Sequence, residues 1–166
     1  VSTQGLGSCF WFELPLATGE PPSSESAPPP APLDNGDARP RLRVLYVEDN
    51  PANQRLMNDI FEDFDACTLR CAHEAALGIE LARAEHPALI LMDINLPGMD
   101  GYAALALLKA DPTTRAIPVV ALSANAMPAD VERGLAAGFA DYLTKPLDLG
   151  RLHAVLAQHL GETPDA

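Results

Sequence analysis

From residue 42 to residue 160, short apolar runs alternate with helix-forming stretches, and this alternation limits the folds that the chain can adopt. The first run, residues 44–47, is typical of a strand that is covered on both faces. Asn50 and Pro51 follow it as a helix N-cap and a first helical residue. The same succession recurs and predicts strands at 44–47, 67–71, 88–92, 118–122 and 140–143, and helices at 51–63, 74–84, 102–110, 129–136 and 149–159.

Five strand–helix units in this order indicate a parallel sheet. Crossovers between parallel strands are right-handed, so the helices must cover both faces of the sheet. The predicted fold class is therefore α/β, with a five-stranded parallel sheet that is doubly wound with five helices. The second strand is expected at an edge of the sheet, and it is not followed by polar residues comparable to those after the other strands.

A proline-rich segment precedes this region. Seven of the 16 prolines lie between residues 17 and 41, mixed with Ser, Glu, Gly and Asp. Such a composition cannot bury apolar surface and favours extended conformations, so a linker is predicted there. The chain is thus divided into an N-terminal segment at 1–16, a linker at 17–41, a domain at 42–160 and a tail at 161–166.

Charge and hydropathy exclude several classes of partner. The chain has 11 basic and 23 acidic residues, a formal net charge of −12, which argues against nucleic acid or an anionic membrane surface as a partner. No apolar run approaches the roughly 18 residues that a spanning helix needs. The chain begins with Val1 and lacks a signal-like segment, so we expect a cytoplasmic piece of a longer protein, whose parent could be anchored in a membrane through other segments.

Polar side chains follow four of the five predicted strands at their carboxyl ends. Glu48 and Asp49 follow the first strand, Asp93 the third, Ser123 the fourth and Lys145 the fifth. In open α/β sheets ligands bind beyond these ends, so the five side chains are expected to converge on one rim.

The converging charges predict a metal ion. Three neighbouring carboxylates are costly to hold together unless cations neutralise them, and a divalent ion together with Lys145 would do so. Ligands that are all oxygen suit Mg²⁺, whereas zinc would favour His or Cys, which this rim lacks. Cys67 and Cys71 alternate with Leu69 on one face of a predicted strand and are expected to be buried thiols.

Four motifs resemble the receiver domains of bacterial two-component response regulators: YVEDNPANQ at 46–54, LMDINLPGMDG at 91–101, ALSANAM at 121–127 and DYLTKPL at 141–147. The residues of these motifs are most similar to those of receivers that are attached to hybrid sensor histidine kinases. Residues 1–16 resemble the last strands of a kinase ATP-binding domain, with Gly5 and Gly7 in a hairpin turn. The nucleotide-binding boxes of that domain are not in this sequence, so no nucleotide cofactor is expected.

The resemblance implies a flavodoxin-like fold with strand order 2-1-3-4-5. It implies that Asp93 is the nucleophile that accepts a phosphoryl group from phosphohistidine, assisted by Lys145 and Ser123. Mg²⁺, or Mn²⁺ in its place, would be bound by Asp49, Asp93 and the backbone carbonyl of Asn95, with Glu48 bound directly or through water.

The resemblance also implies a conformational switch and a set of partners. On phosphorylation Ser123 would move inward, coupled to burial of Tyr142, and the Lys145–Pro146 peptide bond would be cis. The expected partners are the phosphohistidine domain of a kinase and a histidine phosphotransfer protein. The domain would accept a phosphoryl group rather than turn over a substrate, although its parent would be a histidine protein kinase.

Two other functions stay open at this point. A regulatory module that is never phosphorylated could keep the same residues. An aspartyl-phosphate hydrolase would need an acid two residues after the nucleophile, and Asn95 at that position argues against it.

Overall fold

The computed structural model describes residues 41–124 and 127–160, together with the backbone of residues 2–3 and 7–8. Two short strands, Ser2–Thr3 and Gly7–Ser8, pair antiparallel, and Gly7, which was expected in a hairpin turn, lies in the second strand. The remainder of the predicted kinase remnant, nearly all of the linker and the tail at 161–166 lie outside the described residues.

The domain has five strands and five helices that alternate along the chain. The strands are β1 (Leu42–Val47), β2 (Cys67–Ala72), β3 (Leu89–Asp93), β4 (Val119–Ser123) and β5 (Asp141–Thr144). The helices are α1 (Pro51–Glu62), α2 (Ala75–Glu85), α3 (Gly101–Ala110), α4 (Pro128–Ala137) and α5 (Leu149–Leu160). All five strands pair in parallel in the order β2-β1-β3-β4-β5, which confirms the predicted fold class and places β2 at an edge.

Alternation along the strands divides the core into two layers, one on each face of the sheet. In β1, Leu45 and Val47 pack on the side of α2 and α3, whereas Val44 and Tyr46 pack on the side of α1 and α5. The central strands β3 and β4 are buried along their whole length, as the continuous apolar runs predict. None of the described helices is long and apolar enough to span a membrane.

Local sequence signals fix the start of the helix that follows β1. The Asn50 side chain accepts a hydrogen bond from the Ala52 N–H at 2.9 Å, and Pro51 occupies the first turn, as predicted. Met57 and Phe61 of this helix are buried, whereas Leu56 remains 57% exposed. The thiol of Cys67 is buried, as expected, but that of Cys71 is only half-buried.

Candidate functional site

Three carboxylates meet at the carboxyl ends of β1 and β3. Glu48, Asp49 and Asp93 each offer an oxygen, and these three oxygens lie within 4.8 Å of one another. Glu48 and Asp93 are 1% and 5% exposed, whereas Asp49 is open to solvent. The structure thus brings together the acids that the sequence placed at neighbouring strand ends.

Lys145, which follows β5, joins the two buried acids. Its Nζ donates to Oδ2 of Asp93 at 2.7 Å and to Oε2 of Glu48 at 2.5 Å. The backbone N–H of Lys145 donates to the Ser123 carbonyl at 2.7 Å, and the Lys145–Pro146 peptide bond is cis. Burial by itself lowers the pKa of the Lys145 ammonium, but hydrogen bonds to the two carboxylates outweigh it, so the pKa is raised and the cation is held in the site.

Glu48 is held by four donors. In addition to Lys145, Oε2 accepts from the Tyr46 hydroxyl at 2.8 Å, and Oε1 accepts from Asn53 Nδ2 at 2.9 Å and the Asn50 N–H at 3.3 Å. Burial alone raises the pKa of the Glu48 carboxyl, but hydrogen bonds from Lys145, Asn53 and Tyr46 lower it below its ordinary value. Glu48 is therefore a buried, ionised and fixed acid.

Asp93 has both of its oxygens engaged. Oδ1 accepts the Asn95 N–H at 2.8 Å, and Oδ2 accepts the ammonium of Lys145. Behind it, Gly101 at the start of α3 lies so close that a Cβ there would be 2.6 Å from the Asp93 carbonyl oxygen. The lack of a side chain at residue 101 allows α3 to approach the strand end that carries Asp93.

Ser123 and Tyr142 lie on the adjacent strands, and both are buried. Ser123 ends β4 and is 4% exposed, while Tyr142 of β5 is 6% exposed and belongs to the core layer under α2, α3 and α4. The ring of Tyr142 packs against Gly134 of α4. Residues 125 and 126, which separate β4 from α4, lie outside the described residues.

The donor set suits a hard divalent cation. Carboxylate oxygens from two strand ends lie within 4.8 Å of one another, and the exposure of Asp49 leaves room for waters, which Mg²⁺ usually retains. Among the described residues at this rim no His or Cys belongs to the cluster, which disfavours zinc. The residues present therefore fit Mg²⁺.

Two contacts of the site were not foreseen from the sequence. The apolar pattern of β1 predicts only a strand residue at Tyr46, yet its hydroxyl donates to Glu48 Oε2 at 2.8 Å. The Gln54 side chain donates to the Glu48 carbonyl at 2.5 Å. A signal for Tyr46 was present: residues 46 and 48 share a face of the strand, so a phenol there can reach the acid.

Comparison with known proteins identifies the family. Residues 44–157 match the model of the response regulator receiver domain, and the chain belongs to this family. It is 40% identical over 120 residues to the signal transduction histidine-protein kinase BarA of Shigella flexneri, covering 71% of this chain and 13% of that kinase. It is 39% identical over 119 residues to the polar-differentiation response regulator DivK of Brucella ovis, covering 72% of this chain and 96% of DivK.

Solved structures agree with this assignment. One is the receiver domain of the sensor histidine kinase PA1611 from Pseudomonas aeruginosa, which is 33% identical with a TM-score of 0.67 and covers 74% of this chain and 99% of that one. That structure has a magnesium ion coordinated in its active-site cleft. The receiver domain of Ssk1 from Saccharomyces cerevisiae, crystallised with the histidine phosphotransfer protein Ypd1, is 25% identical with a TM-score of 0.64, covering 72% of this chain and 89% of that one. The chain is thus a two-component receiver domain, related to those of hybrid kinases.

Proposed function

We propose that this domain accepts a phosphoryl group on Asp93 from a phosphohistidine, as the receiver of a hybrid histidine kinase in a phosphorelay. The observation that carries the proposal is the buried Asp93 carboxylate, with the Lys145 ammonium 2.7 Å from one oxygen and two further carboxylates alongside. A structural ion pair needs one acid for one base. Here two acids contact one lysine and a third lies beside them, an excess of negative charge that suits the binding of a further cation.

The transfer forms one bond and breaks another. An oxygen of Asp93 attacks the phosphorus, the P–N bond of the phosphohistidine breaks, and its electron pair remains on the imidazole nitrogen. Lys145 moves from the carboxylates towards the transferred oxygens and offsets their charge. The product is an acyl phosphate on Asp93, so the domain is modified once per event and does not turn over a substrate.

Mg²⁺ would be held by Asp49, Asp93 and the backbone carbonyl of Asn95, with Glu48 bound directly or through water, and Mn²⁺ is an alternative occupant. When bound, the ion supplies positive charge that screens the carboxylates from the incoming phosphoryl oxygens. The Asn95 N–H on Asp93 Oδ1 keeps the loop backbone beside the acid, which favours the carbonyl of Asn95 as a ligand.

Phosphorylation would change the conformation through Ser123 and Tyr142. It adds roughly one negative charge at Asp93, and the Ser123 hydroxyl at the neighbouring strand end can donate to the new oxygens. Tyr142 is already buried without the modification, so inward movement of Ser123 would favour this buried position of the ring over an outward one. The modification would thereby shift a population between two arrangements of this face.

The proposed partners are the phosphohistidine domain of a kinase and a histidine phosphotransfer protein. Docking would occur beside the site on α1, where Asn53 contacts Glu48 and Leu56 remains exposed. An exposed leucine one turn along the helix from the site offers the apolar contact around which such interfaces are built.

The test is labelling with phosphoramidate, followed by intact mass, in wild type and Asp93→Asn. We expect a labile gain of about 80 Da that requires Mg²⁺ and is absent from the variant. The matched control is Asp65→Asn, which removes an exposed acid near the end of α1 and should leave labelling unchanged. No label in the wild type, with Mg²⁺ bound, would favour the regulatory module that is never phosphorylated.

A further inference from the structure

Tyr46 places a hydroxyl group inside an otherwise apolar layer of the core. The residue is 2% exposed and packs in the layer between the sheet and helices α1 and α5, near Met57 and Phe61. Packing alone needs only the ring, because a buried hydroxyl is costly unless it finds a partner. The partner here is Oε2 of Glu48, at 2.8 Å.

The two donors on Oε2 of Glu48 differ in how firmly they are held. The Lys145 side chain is 23% exposed, ends a flexible four-carbon stem and is shared with Asp93. The Tyr46 ring is enclosed by the core and has two rotatable bonds, so its hydroxyl stays where the strand places it. Tyr46 is therefore the more firmly held of the two donors on Oε2.

We infer that Tyr46 is a positioning residue of the metal site: its hydroxyl holds the Glu48 carboxylate in the orientation that receives Mg²⁺ or a water bound to it. The inference rests on the proposed function, because it presupposes that the three carboxylates bind a divalent cation. Tyr46 would then contribute to cation affinity as well as to the packing of the core.

The test is a double-mutant cycle in the full chain: wild type, Tyr46→Phe, Glu48→Gln and the double variant, each titrated with Mg²⁺. The readout is the amide ¹H–¹⁵N shift of Asn95, whose N–H lies on Asp93 Oδ1. The same spectra verify that each variant is folded. The matched control is Tyr102→Phe, which removes the hydroxyl from a half-buried tyrosine of α3 that lies outside the site.

We expect Tyr46→Phe to weaken Mg²⁺ binding about tenfold, as loss of a group that orients a metal ligand typically does. Tyr102→Phe should bind Mg²⁺ with the affinity of the wild type. In the Glu48→Gln background, Tyr46→Phe should change the Mg²⁺ affinity less than twofold, because Tyr46 acts through Glu48. Unchanged or tighter binding by Tyr46→Phe overturns the inference, as does an equal loss in both backgrounds. A folded wild type that binds no Mg²⁺ overturns the proposed function and this inference together. If the wild type binds Mg²⁺ but the variants do not show the expected affinities, only this inference is overturned and the proposed function stands.

Discussion

The ring of Tyr142 lies against Gly134 of α4, where a Cβ would come within 2.8 Å of Cδ2 and 3.0 Å of Cε2. A glycine inside a helix lowers helix stability by about 1 kcal/mol relative to alanine, so Gly134 makes α4 less stable. What it gains is space for the buried aromatic ring. The lack of a side chain at Gly134 therefore allows the Tyr142 ring to lie inward.

Gly134→Ala should destabilise the domain by about 1 kcal/mol, because overpacking against Tyr142 outweighs the gain in helix propensity. In a Tyr142→Ala background the ring is absent, and the same substitution should instead stabilise by up to about 1 kcal/mol. Urea unfolding of the four proteins measures both effects. The same sign in both backgrounds would show that the ring does not depend on Gly134.

Lys145→Ala should separate phosphoryl transfer from metal binding. We expect labelling by phosphoramidate to slow by about 10²–10³-fold, the usual cost of losing a preorganised group that stabilises developing charge. Mg²⁺ should bind at least as tightly, because the variant lacks the cation that contacts Glu48 and Asp93. Arg115→Ala, which removes an exposed cation elsewhere, is the control. Loss of Mg²⁺ binding in Lys145→Ala would contradict this division of roles.

Leu56→Ala should impair transfer from a protein donor without affecting the chemistry. Transfer from a phosphorylated histidine phosphotransfer protein should slow about tenfold, because the variant loses an apolar contact in the interface, while labelling by phosphoramidate is unchanged. Leu107→Ala on α3 is a matched control, since Leu107 is 45% exposed and Leu56 57%. Equal transfer rates for the two variants would remove α1 from the proposed docking surface.

Asp111, at the end of α3, should contribute to acid stability. Hydrogen bonds from the backbone and hydroxyl of Thr113, and then from Arg83, lower its pKa from 3.8 to about 2. A depressed carboxyl pKa gives stability that is complete above the unfolded value and lost as the pH falls through the folded one. The difference in free energy of unfolding between wild type and Asp111→Asn should therefore be largest above about pH 4 and decrease as the pH falls towards 2, as measured by urea unfolding. A difference that stays the same between pH 4 and pH 2 would contradict the assignment.

The sequence was sufficient for the strands and for the rim of the sheet. Parallel strands end at one edge, so the positions of Glu48, Asp93 and Lys145 within two residues of the ends of apolar runs were enough to predict that they meet. Element bounds agreed within about two residues, because Pro51 and the loop prolines mark the ends clearly.

Contacts that depend on how close two elements approach could not be predicted in this way. The space for Tyr142 depends on the distance between α4 and β5, and the close approach at Gly101 depends on how α3 meets the end of β3. The apolar pattern of α1 does not distinguish Met57 and Phe61, which are buried, from the neighbouring Leu56, which the helix turns outward. The spacing of residues along the chain shows which of them share a face of a helix or strand, but it does not show which residues of the neighbouring element pack against that face.

We propose that Asp93 carries the phosphoryl group, and the most direct test is to locate the modified residue. The chain is labelled with phosphoramidate and Mg²⁺, treated with borohydride to convert the acyl phosphate to homoserine, and digested for peptide mass mapping. We expect conversion at Asp93 alone, with Asp49 and Glu48 unchanged. Conversion at either of those residues, or labelling that survives in Asp93→Asn, would contradict it.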